Sequence, residues 1–214
     1  MAARKKPLLY GSRGSGSAIA ELGLVKAGVA YEARRASRWE ADSAFDELLT
    51  INPLGQIPTL VLPDGAVLTE SAAILIHLGL EHPASGLLPA DPPARAQTLR
   101  GLVWIAANCY ALITVADYPE RYTESTVDAE RESVRRSARR QLHEAWDRFA
   151  DLFAATPFFG GAEPGALDFM AVVVSRWSGA RAHLKASRPA FSALLGAIEA
   201  HPSVAPVFRR HFDG

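Results

Sequence analysis

Residues 52–71, NPLGQIPTLVLPDGAVLTES, contain the succession of turns and short strands that decides the fold. The turn-forming residues at 52–55 precede a run of good β-formers at 59–62. The Pro-Asp-Gly sequence at 63–65 predicts a hairpin turn, after which 66–68 returns antiparallel. This stretch therefore predicts a β-hairpin that leads into a helix.

Pro58 stands at the beginning of the first hairpin strand. Because proline cannot donate to a strand ladder, we expect the backbone groups of Ile57 to point away from the sheet. A cis bond before Pro58 would present those groups at a tight corner, where they can pair with an extended peptide ligand. An ordinary hairpin explains the apolar positions equally well.

Glu70 and Ser71 begin the apolar, helix-periodic segment 72–80. A carboxylate and a hydroxyl in a first helical turn commonly serve the helix dipole and the cap. The free N–H groups at the same place also form an anion site. Ser71 would then hold a ligand carboxylate and Glu70 an ammonium, a pairing that suits an amino-acid head group.

The motif Gln-Ile-Pro at 56–58, followed at 70–74 by Glu-Ser-Ala-Ala-Ile, resembles the glutathione-binding core of the bacterial cytosolic glutathione transferases. The resemblance implies that reduced glutathione is a co-substrate and that the proline bond is cis. It also implies that the Ile57 backbone pairs with the cysteinyl part and that Glu70 and Ser71 hold the γ-glutamyl end. The implied glutathione-binding residues are Gln56, Ile57, Pro58, Glu70 and Ser71.

The segments before the hairpin complete an alternating pattern. A strand at 7–10, a helix at 18–27 and a strand at 29–36 predict a β-α-β unit with a right-handed crossover. A short helix at 41–49 leads to the hairpin and its helix at 72–80. The resulting βαβαββα order is the thioredoxin-like fold that the resemblance implies for an N-terminal domain.

Prolines and glycine crowd into 83–93, which breaks any helix and predicts a linker. The expected domains are a thioredoxin-like, glutathione-binding domain at 1–82 and an all-helical domain at 94–214, so the fold class is α/β plus all-α. Helices of the second domain are predicted at 95–117, 125–155, 166–184 and 189–200. Asp168 is predicted to cap the third of these, although Gly165 offers no side-chain oxygen for the reciprocal half of a capping box.

The Gly/Ser loop at 11–17 lies where the family places the residue that activates the glutathione thiol. Thiolate is the nucleophile in thiol chemistry, and a hydroxyl donor at a helix N-terminus favours it. By resemblance, the cysteine of the bacterial beta class corresponds to Gly16, and the serine of the theta and zeta classes falls near Gly14. The catalytic candidates are therefore the neighbouring hydroxyls, Ser15 first, Ser12 second and Tyr10 third.

A helical domain beside a glutathione site would supply the wall of a pocket for a small hydrophobic electrophile. Aromatic residues at helical spacing also suit a hydrophobic core, so both interpretations stay open. The candidates for this wall by helix and family position are Trp104, Asn108, Tyr110, Ala111 and Trp177, and Tyr10 of the first strand is a further candidate for the same pocket.

Composition narrows the class of protein. The 23 basic and 23 acidic residues balance, which gives no electrostatic footprint for nucleic acid. No apolar run approaches the roughly 18 residues of a membrane span, and no secretory signal is recognised, so we expect no membrane partner and a cytoplasmic location. Cys109, in an apolar helical pattern, is interpreted as a small buried residue. The histidines lack ligand spacing, and we expect no metal.

The resemblance implies an enzyme that binds glutathione, stabilises its thiolate and adds it to a hydrophobic electrophile, and it implies a homodimer. A non-catalytic glutathione- or ligand-binding carrier of the same fold is the main alternative, because the family's activating positions are glycines here. A glutathione-dependent isomerase or dehalogenase would use the same site with a different second substrate.

Overall fold

The computed structural model describes residues 6–213 and is built on a four-stranded mixed sheet with the order β2-β1-β3-β4. The strands are β1 (Leu8–Gly11), β2 (Glu32–Arg35), β3 (Thr59–Val61) and β4 (Val67–Leu68). β1 runs parallel to β2 and antiparallel to β3, and β4 closes the hairpin. The predicted βαβ unit and hairpin are confirmed.

Three helices cover the sheet: α1 (Ser17–Lys26), α2 (Phe45–Ile51) and α3 (Ser71–Glu81). Successive side chains of a strand point to opposite faces. Leu9 therefore joins the core beneath α1 and α3, whereas Leu8 and Tyr10 join a smaller cluster beneath α2. β1 is thus buried on both faces, as expected of a central strand.

The rest of the chain is helical. After a short connection, α4 (Pro92–Trp104) continues through a π-helical turn (Ile105–Tyr110) into α5 (Ala111–Asp117). The remaining helices are α6 (Asp128–Leu152), α7 (Ala166–Val174), α8 (Ala180–Ser187), α9 (Pro189–Ala200) and α10 (Ala205–Phe212). This arrangement confirms the predicted fold class.

Two details of the helical part differ from the sequence prediction. The helix predicted at 166–184 is broken, because Ser178 and Gly179 both have positive φ (54° and 79°), which an α-helix cannot accommodate. The last helix, α10, was not predicted at all. It is short, and its Val207 and Phe208 are buried while its arginines are exposed, so tertiary burial rather than length stabilises it.

One core joins the two parts of the chain. All nine residues of α7 are buried, and α7 packs against α1 and α3 as well as against α4 and α9. The main apolar cluster accordingly runs from Leu9 and Leu60 of the sheet to Phe169 and Leu195 of the helical part. Apolar packing therefore holds the thioredoxin-like part against the helical part, and it fixes the relative position of the residues that face each other across their boundary.

The continuous helical rod Pro92–Asp117 is long and apolar enough to cross a membrane by length and composition alone, because an 18-residue window within it has a mean hydropathy of 1.5. The sequence expectation that no segment would pass this test was therefore wrong. Core helices of water-soluble proteins also pass it. The buried residues of the rod, which include Leu102, Ile105, Cys109 and Ile113, recur every three or four positions and pack into the shared core.

Asp168, in the first turn of α7, is completely buried. Its Oδ2 accepts hydrogen bonds from the N–H groups of Gly165 (2.9 Å) and Gly160 (2.8 Å), and its Oδ1 accepts one from Phe159 N–H (3.0 Å). Burial raises the pKa of this carboxyl to about 6 against the opposing effect of these bonds. Asp168 therefore ties the preceding loop to the helix, as the structural interpretation of this residue predicts.

Candidate functional site

A cleft of about 540 Å³ opens between the thioredoxin-like part and the π-turn and α5 of the helical part. Its lower wall contains the 56–58 corner and the start of α3, and its upper wall belongs to the second part. The lining residues from the first part are Ala36, Ser37, Arg38, Trp39, Leu54, Gly55, Gln56, Ile57, Pro58, Thr69, Glu70, Ser71 and Ala72. Those from the second are Ala106, Tyr110, Ala111, Thr114, Tyr118, Arg121 and Met170.

The corner before β3 has the geometry that the resemblance implies. The Ile57–Pro58 bond is cis. The carbonyl oxygen of Gln56 accepts hydrogen bonds from Asn52 Nδ2 (3.1 Å) and from Thr59 Oγ1 (2.8 Å), which fix the turn. Within residues 6–213, the backbone N–H and C=O of Ile57 make no hydrogen bond. They border the cleft and can pair with an extended ligand.

The start of α3 supplies an anion site in the same cleft. Ser71 is buried (5% exposed), and its hydroxyl has no hydrogen-bond partner among the residues that the structure describes. The first intrahelical bond runs from Ile74 N–H to Glu70 C=O, so the amides before it are free for a ligand. A carboxylate that binds here would meet the positive end of the helix dipole.

Glu70 occupies an unusual backbone conformation beside that site. Its φ of 63° and ψ of 113° lie in a region that non-glycine residues seldom adopt, and such a conformation costs about 1–3 kcal/mol. Its side chain is exposed and lines the cleft. Glu70 and Ser71 therefore border the same cleft, where the Glu70 carboxylate can accept hydrogen bonds from an ammonium group.

The two serine candidates lie in the loop before α1, and neither lines the cleft among the described residues. Ser15 Oγ donates to the Ser12 carbonyl oxygen (2.7 Å), lies 2.8 Å from Ser17 Oγ and accepts from Ser17 N–H (3.2 Å). Ser12 is itself 5% exposed, and its N–H donates to Ser17 Oγ. These contacts close the loop, so a catalytic role for Ser15 or Ser12 stays a prediction.

Gly16, at the N-terminus of α1, faces a residue of the helical part. A Cβ built on Gly16 would collide with the hydroxyl of Tyr110 and would lie 3.6 Å from Pro58 Cδ. The Tyr110 ring stacks on Trp177 with a centroid distance of 5.5 Å. Burial and the nearby charge of Glu70 raise the pKa of Tyr110 to about 12.

Tyr10 is corrected as a candidate for both the pocket and the thiol. Its side chain is completely buried beneath α2, and its hydroxyl donates to Glu47 Oε1 (2.6 Å). The alternation of β1 directs Tyr10 to the face of the sheet that α2 covers, whereas the cleft opens at the end of the strands.

Trp104 and Asn108 are corrected as well. They border a shallow groove on the outer surface of α4, where Trp104 packs edge-on against Phe153 (6.2 Å) and Asn108 Nδ2 donates to the Trp104 carbonyl (3.1 Å). Residues four apart share one helix face, so both turn away from the cleft together. Ala111, another of the predicted wall residues, does line the cleft.

Thr114, Tyr118 and Arg121 also line the cleft and escaped the sequence analysis. Thr114 and Tyr118 follow Ala111 at helical spacing, which was the available signal. The guanidinium of Arg121 lies 4.1 Å from the centre of the Tyr118 ring, so cation–π contact fixes both side chains at the outer edge.

The described residues contain no group of three or more His, Cys, Asp or Glu side chains placed to hold a metal ion. Cys109 is completely buried, and burial raises the pKa of its thiol to about 12. Its burial agrees with its interpretation as a core residue.

The fold and this cleft define a class: a thioredoxin-like domain with a cis-proline corner, closed by a helical bundle. Residues 19–81 match the family model for the N-terminal domain of glutathione S-transferases. YncG, an uncharacterised glutathione transferase-like protein of Escherichia coli K12, is 30% identical over 204 residues, which are 95% of this chain and 97% of that protein. The chain belongs to the glutathione transferase family.

Solved structures have the same architecture. A glutathione transferase homologue from Sulfitobacter, determined with bound glutathione, superposes with a TM-score of 0.84 at 23% identity, over 97% of this chain and 99% of that one. A sphingomonad glutathione S-transferase complexed with glutathione has a TM-score of 0.71 at 26% identity, over 95% and 98% of the two chains.

Proposed function

We propose that this protein binds reduced glutathione in the cleft and acts as a glutathione transferase on a small hydrophobic electrophile. The observation that carries the proposal is that the unpaired backbone of Ile57 and the free N-terminus of α3 border the same cleft. The two solved relatives named above hold glutathione within the same fold, which supports this choice of ligand.

Two parts of the tripeptide, the γ-glutamyl and the cysteinyl part, match features of the lower wall. The α-carboxylate of the γ-glutamyl part would accept hydrogen bonds from Ser71 Oγ and the first amides of α3. Its ammonium would pair with the Glu70 carboxylate. The peptide groups of the cysteinyl part would pair with Ile57 N–H and C=O, as a strand pairs with a sheet edge. This arrangement would direct the cysteinyl sulfur towards the N-terminus of α1 and the upper wall.

In the reaction, the thiol first loses its proton to solvent. The thiolate sulfur then forms a bond to an electrophilic carbon, and the electron pair displaced from that carbon leaves with a departing group or moves to a neighbouring atom. The upper wall, with Ala111, Thr114 and Tyr118, would hold the apolar part of the electrophile. In line with the family, we propose a cytoplasmic homodimer.

A carrier that binds glutathione without chemistry is the second candidate. Two observations favour it: Gly14 and Gly16 carry no activating side chain, and the Ser15 hydroxyl is engaged within its own loop. A glutathione-dependent isomerase or dehalogenase would differ only in the second substrate.

Calorimetric titration with glutathione tests the binding step. Ser71→Ala removes a hydrogen bond to a charged group and should weaken binding by about 10- to 100-fold, and Glu70→Gln should act similarly. Ser133→Ala, an exposed change on α6, should leave the affinity unchanged. No heat of binding with the wild type, or equal affinities for all variants, would contradict the proposal.

Rates with standard aromatic and epoxide electrophiles then separate the enzyme from the carrier. A transferase should exceed the uncatalysed reaction of glutathione at the same pH, whereas a carrier should bind glutathione and leave the rate at background.

A further inference from the structure

We propose that the hydroxyl of Tyr110, in the helical part, donates a hydrogen bond to the glutathione sulfur. Tyr110 would thereby stabilise the thiolate, a role that Gly16 cannot fill because it has no side chain. The inference rests on the proposed function, since it concerns the same cleft and the same co-substrate. It goes beyond that proposal by assigning the activating group to the second part of the chain.

The first step is spatial. A side chain at residue 16 would begin where the Tyr110 hydroxyl already lies, so the two cannot share the site. The next heavy atom outside the tyrosine ring that such a Cβ would approach is Pro58 Cδ, at 3.6 Å. The Tyr110 hydroxyl therefore sits between the N-terminus of α1 and the cis-proline corner, where the cysteinyl part of glutathione would pair with Ile57.

The second step concerns the availability of the hydroxyl. Stacking on Trp177, with an interplanar angle of 24°, holds the Tyr110 ring in place. The hydroxyl makes no hydrogen bond within the part of the chain that the structure describes, and Tyr110 lines the same cleft as Ile57 and Ser71. A fixed ring with an uncommitted donor is a preorganised partner for a developing negative charge.

The third step concerns protonation. Because burial and the charge of Glu70 raise the pKa of Tyr110 to about 12, the phenol keeps its proton at neutral pH. It can therefore donate to a thiolate but cannot act as the base that removes the thiol proton. That proton passes to solvent, and the O–H bond of Tyr110 remains intact throughout.

Ser15 provides the contrast. Its hydroxyl is held by the Ser12 carbonyl and by Ser17, so it would have to break these contacts to reach a ligand. Tyr110 needs no such rearrangement.

Ultraviolet titration of the glutathione thiolate in the complex tests the proposal. Tyr110→Phe should retain glutathione binding but raise the pKa of the bound thiol by about one to two, the equivalent of one charge-assisted hydrogen bond. The pH profile of the transferase rate should move to higher pH by the same amount. Tyr122→Phe removes an exposed hydroxyl outside the cleft, and its complex should titrate like the wild type.

Three results would overturn the assignment in distinguishable ways. Failure of the wild type to bind glutathione would remove the proposed function and this assignment together. Binding with an unperturbed thiol in the wild type, or an identical thiol pKa in Tyr110→Phe, would remove the assignment alone and leave glutathione binding intact.

A second variant tests the position of the hydroxyl. The double variant Gly16→Ser, Tyr110→Phe removes the tyrosine hydroxyl and introduces a serine hydroxyl from the N-terminus of α1 into the space that the tyrosine hydroxyl occupied. The serine Cβ no longer collides with that hydroxyl, because Tyr110→Phe has removed it. We expect the thiol pKa of this double variant to fall back below that of Tyr110→Phe. If it does not fall, a hydroxyl at this place does not reach the sulfur, and the assignment is wrong.

Discussion

Glu21 on α1 holds the C-terminal helix α10 against the thioredoxin-like part, and its replacement by Gln should cost stability in a pH-dependent way. Its Oε1 accepts hydrogen bonds from Arg210 Nη2 (2.6 Å) and from Tyr31 Oη (2.7 Å), and its Oε2 lies 2.6 Å from His211 Nε2. Burial alone would raise the pKa of this carboxyl, but these partners outweigh burial and lower it from 4.5 to about 2.

The contribution of Glu21 to the free energy of unfolding follows from the decrease in its pKa. A group whose pKa is depressed by folding contributes stability above its unfolded pKa and loses it as the pH falls through the folded value. At about 1.4 kcal/mol per pKa unit, a decrease from 4.5 to about 2 corresponds to at most roughly 3 kcal/mol, because the partner Arg210 is 54% exposed and solvent screens its interaction with Glu21. The contribution is complete at pH 6 and is lost between about pH 4.5 and 2.

Urea unfolding of the wild type and Glu21→Gln at pH values from 7 to 3 measures this contribution from the midpoints at a common slope. We expect the variant to be less stable by up to about 3 kcal/mol at pH 6, with the difference shrinking as the pH falls below 4.5. Glu144→Gln is the control, because Glu144 is 51% exposed and lies 3.5 Å from its partner Arg148, an arrangement typically worth less than about 1 kcal/mol. A difference independent of pH, or smaller than that of the control, would refute the reasoning.

Three further predictions concern the core. Cys109 should react with iodoacetamide roughly a thousandfold more slowly in the native protein than in urea, as a rise in its pKa from 9.0 to about 12 implies; comparable rates would contradict its burial. Asp168→Asn leaves at least one of three backbone N–H groups without an acceptor and should cost about 1–3 kcal/mol in urea unfolding, more than the exposed Asp151→Asn does. Gly160→Ala should lower the thermal midpoint, because its Cβ would lie 2.5 Å from a backbone oxygen, whereas Gly196→Ala on open helix surface should raise it. Equal shifts for the two glycine variants would count against this account.

The sequence by itself determined those strands, turns and helix starts that depend on residues close together in the chain. The hairpin after Pro58 follows from turn residues and β-formers at short range. The start of α3 at Ser71 follows from the apolar, helix-periodic segment that begins there, and the start of α9 at Pro189 follows from proline's fitness for a first helical turn. The motifs proposed to bind glutathione lie at the starts of β3 and α3, so they could be recognised from their order along the chain.

The tertiary structure alone decided which side chains face the cleft. Tyr10, Trp104 and Asn108 have suitable chemistry, but strand alternation and helix phase direct them elsewhere. Tyr110 and Gly16 belong to different parts of the chain and meet only because α7 packs both parts around one core. The sequence indicated Tyr110 as a candidate for the pocket wall, but it did not predict that the Tyr110 hydroxyl lies beside Gly16. That contact joins two distant segments of the chain, and no local pattern records it.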